Sequence, residues 1–159
     1  MRDAEKKIDM TDKRILELLQ KDASMPLAEL AHHVRLTQTP CWKRVQRLKR
    51  SGVIRSQVTL CDADALGVGI TAFMTLRTPE YTPEWADRFA EVVDGLPEVV
   101  EAYRMSGDND YLLRVVVADI ADYDRVHQVL VEAIPMRSVA SNFAMGQVKY
   151  STALPVRER

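Results

Sequence analysis

The sequence is poor in the residues that build cross-linked or metal-bound scaffolds. Its 159 residues include two cysteines, Cys41 and Cys61, with no Cys-x-x-Cys spacing, which argues against a disulfide framework or a zinc ribbon and predicts reduced thiols. Long apolar runs are missing too. The greasiest stretch, residues 65–76, is 12 residues long and contains Gly67, Gly69, Thr71 and Thr75, against the roughly 20 apolar residues of a membrane span. The chain starts Met1-Arg2-Asp3-Ala4-Glu5-Lys6-Lys7 and no apolar segment follows, so it does not read as a secretory signal. The expectation is a cytoplasmic protein with no membrane partner.

Catalytic and metal-binding patterns are equally sparse. His32 and His33 are neighbours on one helix, so their side chains diverge, and His127 has no His or Cys at ligand spacing. Asp62-x-Asp64 and Asp108-x-Asp110 lack the ligand count of a calcium loop. There is no glycine-rich phosphate loop and no nucleophile elbow. No catalytic residue, metal or cofactor is therefore expected, and a small enzyme with a basic appendage is the alternative class.

Negative charge is unevenly missing. No acidic residue lies between Glu29 and Asp62, where Arg35, Lys43, Arg44, Arg47, Lys49, Arg50 and Arg55 supply seven positive charges. Residues 1–60 hold 13 Lys+Arg against 7 Asp+Glu, and the remainder hold 9 against 16. A net charge of -1 thus hides a basic front third and an acidic rest, and the basic part attracts polyanions.

Three helices are predicted in that front third. The first follows Asp9, which can cap it, with Asp12 also suited to its positive end and Ile15, Leu18 and Leu19 forming an apolar stripe. The second covers residues 27–34, with Pro26 near its start and Leu30, Ala31 and Val34 inward. Thr37 is the expected cap of the third, which runs to about Arg50 with Gly52 as its stop. Cys41, Val45 and Leu48 share its buried face, where Cys41 reads as packing rather than a redox sensor.

This spacing reads as a helix-turn-helix whose last helix enters the DNA major groove, with residues 53–60 extended as a wing or linker strand. Gln38, Thr39 and Lys43 are placed to meet base edges, and Arg44, Arg47, Lys49 and Arg50 to neutralise phosphates. Each neutralised phosphate adds about -0.9 to the slope of log K against log salt.

The remaining two thirds alternate. Residues 70–77 read as a strand and a helix follows Thr82-Pro83, with Trp85, Phe89, Val92 and Leu96 at helical spacing. Residues 99–105 and 111–118 read as strands joined by the turn Ser106-Gly107-Asp108-Asn109-Asp110. A helix capped by Asp119 presents Tyr123, Val126, Leu130 and Ile134 and stops at Pro135, and a last strand covers about 139–150. The order βαββαβ predicts a ferredoxin-like antiparallel sheet with both helices on one face. Burying its partly apolar open face against a second copy gains about 25 cal/mol per Å² and predicts a homodimer. The class is α+β, with a helix-turn-helix domain at 8–54, a linker at 55–68 and a ferredoxin-like domain at 69–155. Residues 155–159 read as a polar tail.

The opening Ile8-Asp9-x-x-Asp12-x-x-Ile15-Leu16, the turn and helix from Leu36 to Val45, the exit Gly52-Val53-Ile54, the hairpin Gly107-Asp108-x-Asp110-Tyr111-Leu112-Leu113 and the ending Val148-Lys149-Tyr150-Ser151-Thr152-Ala153-Leu154-Pro155 resemble the Lrp/AsnC (feast/famine) transcriptional regulators. The likeness runs from about Ile8 to Pro155. It implies a winged helix-turn-helix, whose Pro40 and Trp42 join the DNA-binding set, and an amino-acid-sensing domain, in dimers that commonly assemble into octamers. It places the effector pocket at Met105, Ser106, Gly107, Asp108, Asp110 and Tyr111, with Ser141 nearby. Thr39-Pro40-Cys41-Trp42-Lys43-Arg44 and Ser141-Asn142-Phe143-Ala144-Met145 look most like the branch that senses L-cysteine and activates its degradation. A branch responding to branched-chain amino acids is the competing assignment. Arg35 stands where the family usually has glycine, Asn109 where an aromatic is frequent, and Gly146 where a glutamate is common.

Overall fold

Reciprocal carboxylate caps set the first helix in the computed structural model, which describes residues 8–80 and 82–157. The charged start at 1–7 and the last two residues of the polar tail lie outside these described residues. Asp9 Oδ1 accepts from the Asp12 N–H at 2.8 Å and Asp12 Oδ2 accepts from the Asp9 N–H at 3.0 Å, so two orphan donors of helix α1 (Met10–Lys21) are satisfied together. Helix α2 (Leu27–His33) starts after Pro26, and α3 (Gln38–Arg50) follows a tight turn. Arg35 takes φ 55° in that turn, the left-handed conformation that glycine adopts without steric cost.

Thr37 occupies the cap position of α3 but its side chain makes no capping bond. A cap hydroxyl reaches the second or third helical N–H, and the third residue here is Pro40, which has none. Ile15, Leu16, Leu18, Leu30, Ala31, Cys41 and Leu48 form the core of this part. Among the described residues, 53–60 form no strand pair.

Strand β1 (Ile70–Arg77), helix α4 (Pro83–Asp94), strands β2 (Val99–Arg104) and β3 (Tyr111–Val117), helix α5 (Ile120–Ala133) and strand β4 (Ser138–Phe143) follow in the expected order. The sheet order is β2-β3-β1-β4, every pair antiparallel. The last strand ends at Phe143 rather than near 150: Phe143 pairs with Ala72, close to the start of β1, so little ladder remains beyond it.

Alternation along the strands sends Ala72, Met74, Leu76, Tyr111, Leu113, Val115 and Val117 into one core with the helices. Trp85, Phe89 and Tyr111 pack there with ring centroids 4.3–5.5 Å apart, and the buried indole N–H donates to Pro135 O at 2.8 Å. The opposite sheet face carries Phe73, Leu112, Val116 and Tyr103, with Arg114 bonded to Glu101 at 2.9 Å among them.

The chain divides into two units, one running up to Thr59 and resuming at Lys149, the other spanning Leu60–Val148. The segment from Lys149 to Pro155, grouped by the sequence with the second domain, belongs structurally to the first unit. Gln20 of α1 clamps Leu154 from both sides: its amide donates to Leu154 O at 3.1 Å and accepts from Leu154 N–H at 2.7 Å. Val156 packs against the first core. Among the described residues no helix is long and apolar enough to cross a membrane.

Candidate nucleic-acid interface and effector hairpin

Helix α3 has one face in the core and one in solvent because its apolar residues recur at helical spacing: Cys41 and Leu48 are buried, while Gln38, Thr39, Pro40, Trp42, Lys43, Lys49 and Arg50 are exposed. Trp42 keeps 52% of its surface accessible, and with Lys43, Gln46, Arg47 and Arg50 it lines a shallow groove along the helix. Gln46 was absent from the sequence-derived set, although its position four residues after Trp42 and eight after Gln38 puts it on the same face. Lys49 Nζ donates to Gln57 Oε1 at 3.0 Å, which steers that ammonium toward the segment after the helix.

Arg44 and Arg47 behave differently from the other cations. Arg44 Nη1 donates to Asp9 at 2.5 Å and to Asp12 at 2.9 Å, and Arg47 Nη2 bonds to the other Asp12 oxygen. The Asp12 side chain is fully buried, while the arginines keep about a third of theirs exposed. Hydrogen bonds to Asp9 and Asp12 hold the Arg44 guanidinium above its ordinary range against the opposing effect of burial. Burial pushes the Asp9 carboxyl up, but bonds from Arg44 and the Asp12 N–H outweigh it and leave its pKa lowered. Burial also raises the Cys41 thiol, partly offset by Arg44, consistent with an unreactive packing cysteine.

In the second unit the β2–β3 turn is tied to β1. Asp110 N–H donates to Leu76 O at 2.9 Å, and its Oδ2 accepts from Thr78 N–H at 2.7 Å. Met105 N–H donates to Asp110 O at 2.8 Å, and the Arg77 guanidinium donates to the Asp108 carbonyl. Gly107 sits at φ 112°, which a side chain rarely tolerates. These bonds give the Asp110 carboxylate a structural task and leave the Asp108 carboxylate, 96% exposed and 3.8 Å from Arg77, turned to solvent.

The seven expected effector residues are not all brought together. Met105, Ser106, Gly107 and Asp108 are exposed on the turn, whereas Tyr111 is buried against Trp85 and Phe89. Ser141 pairs with Met74 on the helix-covered face, and its hydroxyl is bonded to Tyr123 of α5. The β4 residue across from Arg77, near the hairpin, is Ser138. Among the described residues no cluster of three or more His, Cys, Asp or Glu side chains is placed to hold a metal ion.

Two family models match: one described as winged helix-turn-helix DNA-binding over residues 8–55, the other as Lrp/AsnC ligand binding domain over residues 71–154. The chain is similar to the DNA-binding transcriptional activator DecR of Escherichia coli, 45% identical over 150 residues, which are 94% of this chain and 99% of that one. The fold is similar to the crystal structure of an AsnC family transcriptional regulator from Agrobacterium tumefaciens, with TM-score 0.89, 49% identity and coverage of 93% and 97%. It is also similar to a transcriptional regulator of Neisseria meningitidis solved in complex with L-Met, with TM-score 0.88, 27% identity and coverage of 94% and 97%.

Proposed function

The chain belongs to the Lrp/AsnC family of amino-acid-responsive transcriptional regulators, and from that premise we propose that α3 grips promoter DNA while an amino acid bound at the hairpin tunes the grip. The observation that carries this reading is the solvent face of α3, where Gln38, Thr39, Pro40, Trp42, Lys43, Lys49 and Arg50 stand in a stretch without acidic residues. Gln38, Thr39 and Lys43 at the helix start read base edges, and Lys49 and Arg50 face phosphates. Trp42 adds an apolar surface suited to a thymine methyl group. The protein acts in the cytoplasm, where promoter DNA is accessible to it.

The effector site is formed by Met105, Ser106, Gly107 and Asp108, with Asp110 and Tyr111 supporting the turn and Ser141 outside its immediate reach. The exposed Asp108 carboxylate is an acceptor for an ammonium group, and glycine at position 107 permits close approach of a carboxylate to backbone N–H donors. L-cysteine is the preferred effector because the motifs at 39–44 and 141–145 resemble the cysteine-sensing branch. The L-Met bound by the Neisseria relative supports a sulfur-containing side chain. A branched-chain amino acid is the second reading.

The working unit is a homodimer assembling to an octamer, which spaces its basic helices against half-sites about 34–36 Å apart. Ligand acts by binding one assembly better than another. Mobility shifts on promoter DNA at two salt concentrations test the grip: a steep loss of affinity with salt is expected, and salt-independent or absent binding overturns it. Calorimetry with a panel of amino acids tests the effector: heat from L-cysteine is expected, and heat only from leucine, isoleucine or valine transfers the site to the second reading.

A further inference from the structure

We infer that Asp12 is the positioning residue of the DNA interface: its buried carboxylate ties Arg44 and Arg47 to α1, fixing how α3 is presented and keeping both guanidinium charges out of the phosphate-binding set. This rests on reading α3 as the DNA-facing helix and deepens it by assigning its cations to two distinct tasks.

The geometry supplies the argument. Asp12 has no accessible side-chain surface, yet each oxygen is occupied by an arginine from another helix: Oδ1 by Arg44 at 2.9 Å and Oδ2 by Arg47. Oδ2 also accepts from the Asp9 N–H, so the carboxylate is held by the backbone of α1 as well. Arg44 and Arg47 are one helical turn apart, and two guanidinium groups anchored to one rigid carboxylate restrict both rotation and sliding of α3. Asp9 takes the second bond of Arg44 at 2.5 Å. A guanidinium turned to a buried carboxylate has fewer N–H groups left for a phosphate, and its charge is locally neutralised.

Two consequences separate this from a stabilising ion pair. The charges that set the salt dependence of binding are Lys49 and Arg50, not Arg44 and Arg47. Loss of the Asp12 charge releases Arg47 toward DNA while loosening the helix that reads the bases, so sequence-independent binding is kept or strengthened as discrimination falls.

The test measures affinity of the full-length protein for a promoter fragment and for random-sequence duplex across a salt series. Arg44→Gln and Arg47→Gln each leave Asp12 one guanidinium partner and should preserve the wild-type salt slope, while Arg50→Gln flattens it by about 0.9. Asp12→Asn, checked for a cooperative unfolding transition, should lower the ratio of promoter to random-sequence affinity about tenfold, on the scale of one lost base contact, with random-sequence binding undiminished. A slope flattened by about 0.9 in either arginine variant overturns the inference, as does a folded Asp12→Asn protein with unaltered discrimination. If Asp12→Asn does not fold, the two arginine slopes decide alone. Wild-type binding that ignores salt would instead overturn the assignment of α3 to DNA, a different outcome from any of these.

Discussion

Among the described residues, the first unit closes its core with seven buried apolar side chains and one buried carboxylate, whereas the second buries fourteen apolar side chains, four of them aromatic, between a sheet and two helices. The difference follows from what each surface must carry. Helix α3 carries basic side chains, which repel one another, and no acidic ones, and two of its arginines are drawn inward onto Asp12 and Asp9. The acidic unit is held chiefly by shape and apolar area, its ion pairs, such as Arg114–Glu101, joining partly exposed side chains. Charge in the first unit therefore serves as an internal fastening as well as a solvent-facing surface, and only the partner of each side chain tells the two apart.

The largest effect that sharpens this contrast is expected from Phe89→Ala in the aromatic core. It should cost about 3–5 kcal/mol in denaturant unfolding followed by the buried Trp85, while the exposed Trp42 reports an unmoved transition for the first unit. Asp12→Ala is the mirror experiment: roughly 3 kcal/mol is expected, near the lower end for a broken buried pair because the arginines are partly solvated, and here the Trp42 signal moves. A drop in both units from either substitution would break the comparison.

Gln20→Ala removes two exposed hydrogen bonds to Leu154 and should cost about 1 kcal/mol, visible as faster amide exchange at residues 154–156. The smallest effect concerns acid. Asp9 titrates below its ordinary 3.8 in the folded chain, so its contribution is complete above that value and is lost as pH falls through the lowered one. Asp9→Asn should flatten the stability-against-pH curve of the first unit only below about pH 4. An unchanged curve would show that Asp9 carries no linked stability.

Much of this was legible in the residues themselves. Helical spacing of Ile15 and Leu18, of Trp85 and Phe89, and of Tyr123, Val126 and Leu130 located their buried faces, and the 106–110 turn located the hairpin between paired strands. Arg35, at a position where the resemblance expects glycine, sits at φ 55°. What stayed hidden was tertiary. Nothing local distinguishes Arg44 and Arg47 from Lys43 or Arg50, because their partners lie more than 30 residues upstream. Ser141 looked available because strand alternation was not anchored to a register, and pairing with Met74 turns it toward α5. The end of the last strand was misplaced because the length of its ladder is set by where β1 begins.

The return of the chain to α1 has a practical consequence for dissecting it. Because the backbone leaves the first unit at Thr59 and re-enters it at Lys149, that unit is a discontinuous domain into which the other is spliced. A stop codon after residue 59 would discard the Leu154 clamp and the Val156 contact along with the sensor. A faithful minimal DNA-binding piece needs a bridge in place of residues 60–148, and any tag fused close behind Val156 is a perturbation of the DNA-binding side, not of the sensing one.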